Sequence, residues 1–112
     1  MKYKQGDIVL VPFPYTDNLS VSKQRPVIIL SKNSINKTSY IVAKITSVIR
    51  NDYFGLPIFK IDIDFDLSKP SEIRTNEIMT VDETLIIKKI GCMKKTGLQK
   101  VIPMVQDHLE VE

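Results

Sequence analysis

Tryptophan is absent from this sequence, and cysteine and histidine occur once each, as Cys92 and His108. A lone cysteine excludes an internal disulfide, and paired with one histidine it cannot supply the three or four ligands of a zinc site. A single imidazole also excludes RNA or ester chemistry run by two histidines as acid and base. No apolar run approaches the roughly 20 residues of a membrane helix, and the first seven residues, MKYKQGD, lack the apolar core of a signal peptide. The expected compartment is therefore the cytoplasm, with no membrane attachment. Repeats and low-complexity tracts are missing as well. At 112 residues, 43% hydrophobic and 26% charged, the chain is expected to form a single globular domain over residues 1–112.

What charge there is lies unevenly. The net charge is only +3, but residues 1–50 hold eight Lys and Arg against two acids, or +6. Residues 51–66 come to −3, with four aspartates against one lysine, and residues 67–112 balance seven against seven. An excess in the N-terminal half points to an anionic partner for that half.

The hydrophobic pattern is mostly that of short strands. Residues 7–13 read as a buried strand stopped by Pro12 and Pro14, and residues 25–31 are apolar on both faces, as in a central strand. From Tyr40 to Val48 the pattern alternates, with Ile41, Ala43 and Ile45 on one face and Val42, Lys44 and Thr46 on the other. The cleanest alternation runs from Ile58 to Asp66, predicting Phe59, Ile61, Ile63 and Phe65 inward and Lys60, Asp62, Asp64 and Asp66 outward. Residues 77–81 and 89–93 are weaker strand candidates, and a short helical turn fits 82–86. Leu98, Val101, Ile102, Val105 and Leu109 fall at helical spacing after Thr96-Gly97, with Pro103 expected to kink the helix. The whole predicts a mainly β fold, a small, partly closed antiparallel barrel with a C-terminal helix packed on it. Two long connections, Pro14–Gln24 and Ile49–Pro57, are the expected functional loops.

Several side chains suit an anionic substrate. Arg25 precedes Pro26, whose ring biases it toward extended backbone, so a guanidinium is presented at the mouth of a strand. Its fork of donors matches two phosphate oxygens, although an arginine can equally lay its stem over a barrel edge. Lys44 and Thr46 share a strand face that suits a phosphodiester, with Ser47 at the strand end; threonine is also common in strands because a β-branched side chain fits the pleat. Arg74, Thr75 and Asn76 add a second guanidinium and a neutral amide. Asp62, Asp64 and Asp66 imitate the opening of a calcium loop, but Leu67 stands where glycine belongs and Ile73 where glutamate belongs. A solvated strand face is the better reading, and no metal site is expected. Cys92 reads as a small buried hydrophobe and His108 as a helix surface residue near the C-terminus.

Gly6-Asp7-Ile8-Val9-Leu10-Val11-Pro12, a polar loop, and Arg25-Pro26-Val27-Ile28-Ile29-Leu30-Ser31 together resemble the MazF/PemK-type toxins of bacterial toxin–antitoxin modules. The resemblance continues through Ala43-Lys44-Ile45-Thr46-Ser47, Ser71-Glu72-Ile73-Arg74 and Thr80-Val81-Asp82, spanning nearly the whole chain in order. It implies an SH3-like β-barrel with a C-terminal helix, a homodimer, and a metal-independent, sequence-selective endoribonuclease neutralised by a cognate antitoxin. No cofactor is expected, and single-stranded RNA is the expected substrate because base edges in an A-form duplex are poorly accessible. The catalytic arginine and threonine of such toxins map onto Arg25 and Thr46. In some members an arginine followed two residues later by an aspartate also takes part; here the arginine is Arg74, but the acid position holds Asn76. The general base is left open, with Asp17 a remote candidate.

RNA cleavage by the neighbouring 2′-hydroxyl gathers negative charge on the phosphoryl oxygens, for which Arg25 and Thr46 are suitable donors. Arg74 is assigned to electrostatic stabilisation first, since a guanidinium with a pKa above about 12 is a poor acid. Tyr15, Thr16, Lys23, Lys44, Ser47, Arg50, Tyr53 and Asn76 are the candidate RNA contacts, with Tyr15, Tyr53 and Phe54 able to stack on bases. Phe54 fits loop anchoring equally well. Two other readings stay open: a gyrase-poison type of binding toxin on a related barrel, and an RNA-binding module weakened in catalysis by Asn76.

Overall fold

Side chains that alternate between two apolar layers dictate most of this molecule. The computed structural model describes residues 2–15 and 18–112, with side chains described outside 13–22. Six strands form one antiparallel sheet: β1 Asp7–Tyr15, β2 Asn18–Ile29, β3 Ser39–Thr46, β4 Gly55–Pro57, β5 Glu72–Asp82 and β6 Lys88–Cys92, in the order β4-β5-β3-β2-β1-β6. Helix α1, Lys95–Asp107, follows. Among the described residues no helix is long and apolar enough to cross a membrane.

One face of the sheet carries Ile8, Ile28, Ala43, Ile45 and Ile73, packed with Met93 and with Val101 of α1. The other carries Val9, Val11, Val27, Ile29, Tyr40, Val42 and Val81. The split follows the period of two along each strand, and it matches the faces expected for β3 except that Ile41 is exposed. The sheet itself stays open; among the described residues one isolated antiparallel bridge, Ile63 with Met93, ties the segment after β4 to the residue that follows β6. Lys94 N–H to the Asp62 carbonyl, 2.7 Å, and Asp64 N–H to the Cys92 carbonyl, 3.1 Å, reinforce that seam. The mainly β architecture, an antiparallel sheet with a C-terminal helix, is as expected, and the sheet is not closed.

Four local expectations are corrected. The segment 14–24 is not a long loop: β1 and β2 pair out to Tyr15 and Asn18, with a register shift between Pro14 and Tyr15. Pro12 and Pro14 do not stop β1, because β6 covers it only as far as Leu10. The Leu10 carbonyl points to that side, accepting from Ile87 N–H at 2.8 Å. The two-residue period sends the nitrogens of Pro12 and Pro14 the same way, toward an uncovered edge where a missing N–H breaks no ladder. The alternating run 58–66 is not a strand. Lys60–Asp62 is a 3-10 turn, Phe59 and Ile61 are exposed, and Asp62 is only 3% exposed.

The side chain of Asp62 explains this inversion. It accepts from Thr96 Oγ1 and Lys100 Nζ, both at 2.7 Å, so a paired carboxylate goes inside and two apolar neighbours turn out. Finally, the helix starts at Lys95 and ends before Leu109, which lies beyond it and is exposed, while Pro103 sits inside it on the exposed side.

Candidate functional site

β2, β3 and β5 lie side by side, so their register decides which polar side chains meet. Val27 pairs with Lys44, the last pair of the β2–β3 ladder; continued by two residues, that register would set Arg25 level with Thr46. Lys44 in turn pairs with Arg74 and Thr46 with Glu72, while Arg74 pairs with Gly55 of β4. Directly opposed residues share a face, so Arg25, Lys44, Thr46, Glu72 and Arg74 extend the layer of Val9, Val27 and Val42 to one end of the sheet. There the apolar layer gives way to a polar row.

Arg25 is exposed, and Lys44 and Thr46 are half-buried. The Thr46 hydroxyl oxygen accepts from Val48 N–H at 3.0 Å, a local turn bond that leaves the O–H proton to donate. Lys44 Nζ lies 3.5 Å from Glu77 Oε1. Lys23, Ser47, Arg50 and Asn76 are exposed, as is Tyr53. The side chain of Tyr15 and the whole of Thr16 and Asp17 lie outside the described residues.

Arg74 is placed differently, at 3% exposure. Its Nη1 donates to Glu72 Oε2 at 2.6 Å and Asp52 Oδ1 at 2.9 Å, its Nη2 to Asp52 Oδ2 at 2.7 Å, and its Nε to Glu77 Oε2 at 3.1 Å. Three carboxylates therefore surround one guanidinium, raising its pKa further through the hydrogen bonds it donates, to Asp52 first and Glu72 second. The Asp52 carboxyl is lowered to about 2, chiefly by its bonds from Arg74.

Asp52, Glu72 and Glu77 were not among the residues expected from sequence. Glu72 was readable in principle, two residues before Arg74 and hence on its face of the strand; Asp52, 22 residues away, left no signal. Gly55 belongs with them, since a Cβ there would come within 2.6 Å of the Glu72 carboxylate oxygens.

The connection 49–57 closes against this cluster. Asp52 Oδ1 also accepts from the N–H groups of Phe54 and Gly55, both at 3.1 Å, and Asn51 takes a positive φ of 53° at the turn. Behind the loop, the Phe54 carbonyl accepts from Thr75 N–H at 3.1 Å and Thr75 Oγ1 at 2.7 Å. His108 is not a free helix-surface residue: it caps α1, with its Nε2 2.9 Å from Thr75 Oγ1 and its ring against Tyr53 and Phe54. Cys92 is half-buried, its Sγ donating to the Met93 carbonyl, and burial pushes its thiol up, away from nucleophile behaviour. Among the described residues no group of His, Cys, Asp and Glu is arranged to hold a metal ion.

The fold is an open six-stranded antiparallel sheet with a C-terminal helix and a cationic and hydroxyl row at one end of the sheet. The family model for PemK-like, MazF-like toxins of type II toxin–antitoxin systems matches residues 4–109, and the chain belongs to that family. Solved structures agree in fold. MazE-MazF from Deinococcus radiodurans superposes with a TM-score of 0.79 at 14% identity over 100% of both chains. The Mycobacterium tuberculosis toxin MazF-mt6 gives 0.72 at 19% identity, covering 95% of this chain and 98% of that one. An endoribonuclease in complex with its cognate antitoxin from a mycobacterial species gives 0.76 at 12% identity, covering 98% and 99%. No curated protein sequence matches significantly.

Proposed function

We propose that this toxin is a metal-independent endoribonuclease that cuts single-stranded RNA in the cytoplasm. The observation that carries the reading is the register of β2 and β3, which pairs Val27 with Lys44 and, continued by two residues, would set Arg25 level with Thr46. In the reaction the 2′-oxygen bonds to phosphorus and its proton leaves to a base. The bond from phosphorus to the 5′-oxygen breaks, giving a 2′,3′-cyclic phosphate and, once that oxygen takes up a proton, a 5′-hydroxyl. Arg25 donates to the phosphoryl oxygens, and the Thr46 hydroxyl donates beside it as charge grows there. Lys44 supplies a further positive charge. Arg74, on three carboxylates, contributes through what it holds.

The endoribonuclease and antitoxin in the names of the similar structures support the same substrate class and partner for this chain, and a homodimer is the assembly expected from the family. Purified protein incubated with a long single-stranded RNA in EDTA should give discrete 5′-hydroxyl ends at a short motif, and Arg25→Ala should remove them. Intact RNA after prolonged incubation at high protein concentration would sink the proposal. The neutralised Arg74 favours one other reading, an RNA binder without turnover, which would show tight, salt-sensitive binding and no cut ends.

A further inference from the structure

Tyr53 is 72% exposed, yet its ring is held from two sides, edge-on to Phe54 at 5.5 Å and tilted against His108 at 5.5 Å. An aromatic ring that is both fixed and open offers a face to a flat partner without losing freedom when the partner arrives. What fixes it is the turn 51–55, and that turn is tied to the sheet at two points. One is the pair of bonds from Thr75 to the Phe54 carbonyl. The other is the two-bond fork between Arg74 and Asp52, the stronger kind of contact because both groups are charged and planar. Arg74 is itself immobilised by Glu72 and Glu77 on either side. Because Gly55 pairs with Arg74, which pairs with Lys44, the tied turn stands beside the polar row.

We infer that Arg74 is a positioning residue: through Asp52 it holds Tyr53 as a stacking platform for a base of the RNA next to the scissile phosphate, and so sets which sequence is cut. This rests on the RNA-cleaving reading. A direct electrostatic role for Arg74 makes the opposite forecast. Asp52 neutralises Arg74, so if the free charge of Arg74 drove cleavage, removing the Asp52 charge would leave cleavage the same or raise it.

Asp52→Asn is the variant of choice, because an amide keeps an oxygen for the Phe54 and Gly55 N–H groups while losing the charged fork. It also leaves buried Glu72 with its partner, where Arg74 variants risk unfolding. The expected result is a KM raised on the order of tenfold, a kcat within about twofold, and cut sites spread over more motifs. Tyr53→Phe, which retains the ring, should keep the wild-type motif, and Tyr53→Leu should copy Asp52→Asn. An unchanged KM and motif, or faster cleavage, in Asp52→Asn would overturn the inference. Hydrogen exchange at the Thr75 amide, bonded to the Phe54 carbonyl, separates the two failures. If wild-type protein cuts no RNA, the function reading falls. The tether is then judged by exchange alone: faster in Asp52→Asn supports it, and unchanged exchange overturns it.

Discussion

The side chains of Thr75 and His108 share one hydrogen bond whose direction is fixed. Thr75 Oγ1 gives its only proton to the Phe54 carbonyl at 2.7 Å, so at 2.9 Å from His108 Nε2 it must accept, and the imidazole donates. The last turn of α1 is thereby fastened to the 51–55 turn and to the irregular stretch of β5, where the register with β3 jumps from Ile78 to Arg74.

His108→Ala should remove that donor and two ring contacts, lowering stability by about 1–2 kcal/mol. Urea unfolding measures it; a midpoint equal to wild type would show the fastening to be idle. The sheet core should survive, since Val101 and Gly97 carry the buried side of α1.

Acid should release the Asp52 fork late. Its folded pKa of about 2 lies below the ordinary carboxylate value of 3.8, so the native state resists protonation. The stabilisation is complete above pH ~4 and is lost as pH falls through about 2. Asp62, lowered chiefly by its bond from Lys100, acts in the same direction at the α1 seam. Carboxyl chemical shifts followed against pH give the Asp52 midpoint directly, and a value near 4 would contradict the fork.

Arg25→Ala and Thr46→Val should each reduce cleavage on the order of 10²-fold or more with unfolding midpoints close to wild type. Arg25 is exposed and Thr46 bonds only a local amide, so neither supports the core. Single-turnover rates and thermal melts on the same preparations check both halves. A large stability loss would return these side chains to a packing role.

Gly55→Ala should be severe for so small a change. The new methyl would meet the Glu72 carboxylate, which is buried against Arg74 and has no room to retreat. We expect a loss of about 1–3 kcal/mol, measured by urea unfolding, and disturbed Tyr53 resonances. Wild-type stability would mean that β4 yields freely.

Sequence reasoning succeeded where one interaction dominated. The alternation of β3 was legible because burial of Val42 on one side and Ala43 and Ile45 on the other outweighs everything else there. It failed at 58–66, where two hydrogen bonds to Asp62 from residues more than 30 positions away reversed an otherwise clean pattern. Arg25, Lys44 and Thr46 could be nominated from motif and strand face, and the Val27–Lys44 pair leaves Lys44 on the face that strand alternation gave it. The carboxylate cage of Arg74 could not, since the Asp52 contact depends on how a nine-residue connection folds back. The depth of Arg74 is set by that return, and nothing local encodes it.

Pro12 and Pro14 carry one further consequence. Past Leu10, β1 has no β6 partner among the described residues and forms a rim of the sheet, the kind of border onto which a stray extended peptide can zip. The two imino acids strip hydrogen-bond donors from that rim, so a foreign strand finds gaps where it needs rungs. Fibril-like stacking of one molecule on the next is discouraged along this edge for that reason.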